Sequence, residues 1–300
     1  MLLLVILFSC IFPSSFSYQK KPLIYNAPTA NKGEFPSTVF VKIYRRYNDE
    51  STFFVCGGTL LTYRIVLTAA HCLVARSVNG THKRFPKVGV FAGGTYINSF
   101  NEYILASNSL IPRIYKRNLT ENVLMNDYAL LVLEKAFTKS SVIGLAKLPE
   151  LIPGKDDVVT AVGWGERENG KPSEYQRYVH MKIVDDQDCK DRKAKYKSKW
   201  SVFCAKSFDP KQGVCRGDSG GPLYHKDTNV VVGVISQAIG NQEVCLTEKH
   251  AIATNIFYYQ LSIRKIIEEV VQKLNNAGKG KTLSSKSLYI GRDEFQCISY

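Results

Sequence analysis

The chain has 300 residues, 45% of them hydrophobic, and a formal net charge of +14 from 40 basic and 26 acidic side chains. That length suits one large domain or two small ones, with room for a sizeable core. The basic balance would suit a polyanion, but no nucleic-acid module accompanies it, which excludes nucleic acid as a partner; past the first dozen residues no apolar run is long enough to span a membrane.

Met1–Phe12 is almost wholly apolar, and Pro13-Ser14-Ser15-Phe16-Ser17 supplies small residues at a cleavage point. Residues 1–17 therefore read as a secretory signal and the chain as extracellular, although the apolar run has no Lys or Arg before it. Strand-like runs dominate the rest of the chain: Thr38–Tyr44, Ala129–Leu133, Val158–Trp164 and Val230–Ile235 are β-branched or aromatic and bounded by Gly, Pro, Asn and Asp. Asn79 and Asn118 open sequons that suit glycosylation of a secreted protein. Lys190–Trp200 is a basic run, and two readings stay open for it: an exosite for anionic glycans or acidic proteins, or a solvated helix face. Near the end the period changes to helical, with Ile263, Ile266, Ile267, Val270, Val271 and Leu274 on one stripe. Asn275–Lys281 reads as a linker, and residues 276–300 as a tail that is disordered, packs on the domain or tethers through Cys297. No metal-ligand spacing stands out, and no cofactor is implied.

Three segments carry chemistry. Cys215-Arg216-Gly217-Asp218-Ser219-Gly220-Gly221-Pro222 sets a serine among glycines. A serine hydroxyl needs a base to take its proton and donors to hold the oxyanion that forms. Upstream lie Leu67-Thr68-Ala69-Ala70-His71-Cys72 and Asn126-Asp127-Tyr128-Ala129. Alone, each of these residues would read as structural. In the order His, Asp, Ser, with cysteines around two of them, the chain resembles the chymotrypsin/trypsin-like serine proteases from about Ile24 to about Leu274.

The resemblance implies an all-β fold of two packed six-stranded antiparallel barrels closed by a C-terminal α-helix. It implies a serine endopeptidase with Ser219 as nucleophile, His71 as base and Asp127 as its orienting acid, working on protein or peptide substrates and open to protease inhibitors. Gly217 and Ser219 would form the oxyanion hole, and Ser236 would support Asp127. It pairs Cys56 with Cys72, Cys189 with Cys204, and Cys215 with Cys245. It makes residues 18–23 a short propeptide, residues 24–275 the protease domain and Ile24 the freed amine that pairs with Asp218, although Leu23 rather than Lys or Arg precedes Ile24 and Asn26-Ala27 stand where the family has glycines. The pocket floor falls on Gly213 and the walls on Ser236, Gln237, Ala238 and Ala251, a neutral, narrowed slot for small or medium apolar side chains. A shift in the loop before Ala251 would bring Lys249 or His250 there instead. The alternative is a catalytically silent homologue that acts as a binding protein.

Overall fold

The computed structural model describes residues 27–46, 49–75, 83–118, 120–167, 171–196, 198–239, 250–277 and 295–300. The first half forms β1 (Thr38–Arg46), β2 (Asp49–Thr62), β3 (Ile65–Thr68), a single 3-10 turn (Ala70–Cys72), the two-residue strands β4 (Val74–Ala75) and β5 (Lys83–Arg84), β6 (Lys87–Ala92), β7 (Glu102–Pro112), the short hairpin β8 (Lys116–Asn118) and β9 (Val123–Met125), and β10 (Ala129–Leu133). The sheet runs β10-β3-β2-β1-β6-β7, and β7 pairs back onto β10, closing a six-stranded barrel. Every residue of β10 is buried, which explains its unbroken apolar run.

The second half forms β11 (Val158–Gly163), β12 (Arg177–Val184), helix α1 (Gln187–Lys193), β13 (Val202–Ser207), β14 (Pro222–His225), β15 (Val231–Ile239) and β16 (His250–Asn255). These strands close a second barrel in the order β11-β12-β13-β16-β15-β14, again antiparallel throughout. In β12 burial alternates residue by residue, so Val179, Met181 and Ile183 fill the interior while their neighbours face outward.

Helix α2 (Ile256–Ala277) leaves the second barrel and packs on the first. Its buried face is Ile256, Tyr259, Ile263, Ile266 and Val270, with Ile267 and Leu274 at the margin; Val271, expected on this stripe, lies on the open side. The helix also runs three residues into the expected linker. The described end of the tail, residues 295–300, packs on the domain. β17 (Phe295–Ser299) pairs antiparallel with Asn108–Pro112 of β7, as a seventh strand beside the first barrel. Phe295 is buried, its ring 6.0 Å from that of Tyr128, and Tyr128 in turn stacks 4.4 Å from Tyr259 of α2. Burial of a phenylalanine ring contributes about 2–3 kcal/mol.

Candidate active site

Asp127 is the hub. Asn126 takes a left-handed turn (φ 55°), held by its own amide on the Ile114 carbonyl at 2.7 Å and by the Tyr259 hydroxyl at 2.6 Å. That turn delivers Asp127, with 0% exposure, to the mouth of β10. One carboxylate oxygen accepts from the His71 backbone N–H at 2.9 Å. The other accepts from His71 Nδ1 at 2.7 Å and from Ser236 Oγ at 2.6 Å. Thr254 Oγ1, which no motif singles out, holds the Asp127 carbonyl at 2.8 Å. Burial works against ionisation of this carboxyl, but the His71 imidazole, the Ser236 hydroxyl and the His71 amide outweigh it and hold Asp127 below the usual carboxylate range. With Nδ1 donating to the carboxylate, Nε2 is left as the acceptor on the imidazole. The Cys56–Cys72 disulfide ties the His71 turn to β2.

Ser219 arrives from the second barrel. Its carbonyl accepts from Gly57 N of β2 at 2.8 Å, and Gly220 N donates to Ile235 O of β15 at 2.8 Å, so the loop is pinned to both barrels. Cys72 Sγ lies 3.6 Å from the same Ser219 carbonyl, which sets the serine beside the histidine turn. Gly220 (φ 79°) has no room for a side chain: a Cβ there would stand 2.7 Å from Gly57 O and 3.0 Å from Ala69 N. Gly217 (φ 93°) makes the second left-handed turn, and the amides of Gly217 and Ser219 donate to no acceptor among the described residues. The Ser219 hydroxyl and His71 Nε2 are not hydrogen-bonded to each other, a bond that in a free enzyme is often long and tightens with substrate.

Asp218 points away from the serine into the protein. Its carboxylate accepts from Gly165 N at 2.8 Å and Cys215 N at 2.9 Å. Burial pushes its pKa up to about 6, against the pull of those two amides and with a small push from Glu166. Ile24, expected to meet it, lies outside the described residues. Ala27, three residues on, is buried in the second barrel's core, where Arg177 Nη1 holds its carbonyl at 2.7 Å and Arg177 Nε reaches Ser173 Oγ at 3.0 Å. A buried arginine at an inward position of β12 is the signal that reading by motif passed over.

Four of the expected pocket residues lie on adjacent strands, Ser236, Gln237 and Ala238 on β15 and Ala251 on β16. Gly213 is buried beside Val214, Ala238 pairs across with Ala251, and Ala251 pairs on its other side with Ala205. Gln237 is drawn sideways: Tyr196 OH donates to its Oε1 at 3.2 Å, and its Nε2 donates to the Asn122 carbonyl at 3.1 Å. His250 faces away, with Nε2 2.7 Å from Asp186 Oδ2, while Lys249 lies outside the described residues.

The basic run is interrupted. α1 is N-capped by Asp186, Lys193 pairs with Asp185 at 3.7 Å, and Tyr196 is buried, while Lys199 and Trp200 are exposed. Asp186, Asp188 and His250 bring donor atoms within 4.8 Å of one another, a grouping invisible in sequence. Asp186 already takes Lys206 Nζ at 3.1 Å, so the cluster is satisfied as an ion-pair network; burial opposes it, yet His250, the Cys189 amide and Lys206 bring Asp186 down to about 2. Cys189 and Cys204 are bonded as expected, and Cys215 is disulfide-bonded, with its expected partner Cys245 outside the described residues. Cys297 sits half-buried in β17, with Asn108 Nδ2 at 3.8 Å. Asn118 Nδ2 donates to Glu121 Oε2 at 3.0 Å; Asn79 lies outside the described residues. No helix among the described residues is long and apolar enough to cross a membrane.

Residues 24–263 match the family described as Trypsin. The chain is 33% identical over 220 residues to "Trypsin, alkaline C" of Manduca sexta, covering 71% of this chain and 80% of that one. It is 31% identical over 190 residues to "Trypsin beta" of Drosophila erecta, covering 62% and 69%. Among solved structures it is similar in fold to HL collagenase, with a TM-score of 0.64 at 22% identity over 80% of this chain and 96% of the other.

Proposed function

The chain belongs to the trypsin family of serine endopeptidases, and from that premise we propose that it cuts proteins after small or medium apolar residues, with His71, Asp127 and Ser219 as its triad. His71 Nε2 takes the Ser219 Oγ proton as Oγ attacks the scissile carbonyl. The amides of Gly217 and Ser219 receive the oxyanion, and Asp127 stabilises the imidazolium. The imidazolium then protonates the leaving amine, and a water repeats the sequence on the acyl-enzyme. The observation that carries the triad is the convergence of His71 N, His71 Nδ1 and Ser236 Oγ on one buried carboxylate.

The specificity rests on Gly213, which offers a substrate Lys or Arg no carboxylate, and on the methyl groups of Ala238 and Ala251. One methylene in such a slot is worth about 1–3 kcal/mol. Peptide substrates that differ only in the residue before the cut are the test. Leu, Val or Ala should exceed Lys and Arg in kcat/KM by at least about tenfold; a preference for Lys or Arg contradicts the reading.

The protein is further read as an extracellular precursor: a signal over residues 1–17, a propeptide over 18–23, the protease domain over 24–275 and a tail over 276–300, with glycans at Asn79 and Asn118. Its partners are protein substrates and protease inhibitors; Lys190–Trp200, in which Tyr196 is buried and Lys193 is paired with Asp185, keeps its two readings as an anionic-glycan exosite or a solvated helix face. Activation turns on Asp218. Its carboxyl is raised on folding, so its contribution to stability is complete below about pH 4, where the unfolded chain also binds the proton, and is lost as pH rises through about 6. The loss at neutral pH is roughly 3 kcal/mol, and an Ile24 ammonium against the carboxylate would offset it. The uncut precursor should therefore lose stability between pH 4 and pH 7 relative to its Asp218→Asn variant, and the form beginning at Ile24 should not. Equal pH profiles for precursor and variant in denaturant melts would remove the switch.

A further inference from the structure

We propose that Phe295, on the strand that the tail adds, is a positioning residue for Asp127 and acts on it through Tyr128. The inference rests on the triad reading already given. β17 lies beyond residues 24–263, the part of the chain that matches the trypsin family, so this contact is an addition to the matched region.

The Asp127 backbone is set by its two neighbours. Asn126 sits in a left-handed turn at φ 55°, a conformation that persists in a non-glycine residue only where the surroundings enforce it. Tyr259 OH enforces it from one side, 2.6 Å from Asn126 Oδ1, and the Ile114 carbonyl from the other, 2.7 Å from Asn126 Nδ2. Tyr128 is buried between two rings, Tyr259 at 4.4 Å and Phe295 at 6.0 Å. The Phe295 contact is edge-on, with 74° between the planes, a geometry that fixes orientation as well as burying area.

The tail also reaches the far anchor of the turn. Phe295 stands opposite Pro112, whose carbonyl accepts from Tyr115 N at 2.9 Å and so closes the bend that presents Ile114 to Asn126. Beyond it, Leu110 and Ser109 of β7 pair with Leu130 and Leu131 of β10 on one side and with Cys297 and Ile298 on the other. Tyr300 fastens the end of the strand, with its N–H on Ser107 O at 3.0 Å and its hydroxyl on Ser109 Oγ at 3.2 Å. β10 itself begins two residues after Asp127.

Removing the Phe295 ring leaves a void that the surroundings fill only in part. Tyr128 is then free to tilt away from Tyr259, and the Asp127 carboxylate moves with it against His71. A misplacement of about 1 Å caused far from the chemistry can cost about a hundredfold in rate. A phenylalanine that served packing alone would lower the melting midpoint and leave the rate per folded molecule unchanged.

The test compares full-length wild type with Phe295→Ala, Phe295→Leu and Ile43→Ala at a temperature where melts show each one folded. Ile43 is buried in the same barrel but on β1, three strands from β10 in either direction. Phe295→Ala should lose at least about tenfold in kcat with KM little changed. Phe295→Leu should lose less, and Ile43→Ala should keep the wild-type kcat. The proton between His71 Nδ1 and Asp127, read as a far-downfield NMR resonance, should be sharp in wild type and Ile43→Ala and broadened in Phe295→Ala. If Phe295→Ala does not fold, Phe295→Leu carries both readings. Phe295 variants that melt earlier yet keep kcat and the resonance overturn the inference and leave the triad standing. An equal loss of kcat in Ile43→Ala also contradicts it. A wild type that turns over no peptide contradicts the triad reading, and the resonance then decides whether Phe295 orders Asp127.

Discussion

Ser219→Ala should lower kcat by about a million-fold, the scale on which triads lose turnover when the nucleophile is removed. In the proposed mechanism the Ser219 hydroxyl oxygen forms the acyl bond, and the residual rate is what the oxyanion donors and binding supply alone. The substitution is mild for the fold: Ser219 is anchored through its backbone, by Gly57 N on its carbonyl, and its hydroxyl makes no hydrogen bond to a described residue. The thermal midpoint of the variant should thus stay within a few degrees of wild type. A variant that folds and retains more than a hundredth of the wild-type kcat would take the chemistry away from Ser219.

Asp127→Asn should lower kcat by about ten-thousand-fold without moving a side chain far. The carboxylate accepts from His71 N and His71 Nδ1 and from Ser236 Oγ, and it donates to nothing. An asparagine in the same place must present an amide N–H to one of those partners. If it faces Nδ1, the imidazole carries its proton on Nε2 and can no longer take one from Ser219. The check is kcat at neutral pH together with the melting midpoint. A fall of less than tenfold in a folded variant would mean that Asp127 does not orient the base.

The fold was legible because its strands carry their own pattern: Thr38–Tyr44 lies within β1, Ala129–Leu133 is β10, and Val158–Trp164 and Val230–Ile235 overlap β11 and β15. The residues proposed as the triad stood out because each sits in a local context of glycines, cysteines or a buried strand. What escaped depends on contacts across long sequence separations. β17 is a strand only because β7 offers an edge, and Cys297 and its neighbour Asn108 are 189 residues apart. Val271 belongs to the helical period as much as Val270 does; the barrel surface selects one and leaves the other in solvent. The basic run reads as continuous in sequence, but Tyr196 within it is pulled inward by Gln237, and Lys193 is paired with Asp185. Arg177 anchoring Ala27, 150 residues away, and His250 meeting Asp186 escaped for the same reason.

The decisive measurement is labelling of the purified protein, with Ile24 as its terminus, by a serine-directed phosphonate bearing a Leu side chain, followed by peptide mapping in a mass spectrometer. One phosphonate per molecule on Ser219, absent from the Ser219→Ala and Asp127→Asn variants at equal exposure, is the expected outcome. No label on Ser219 in a protein with a free Ile24 terminus would contradict the proposed activity and leave the chain a silent member of its family.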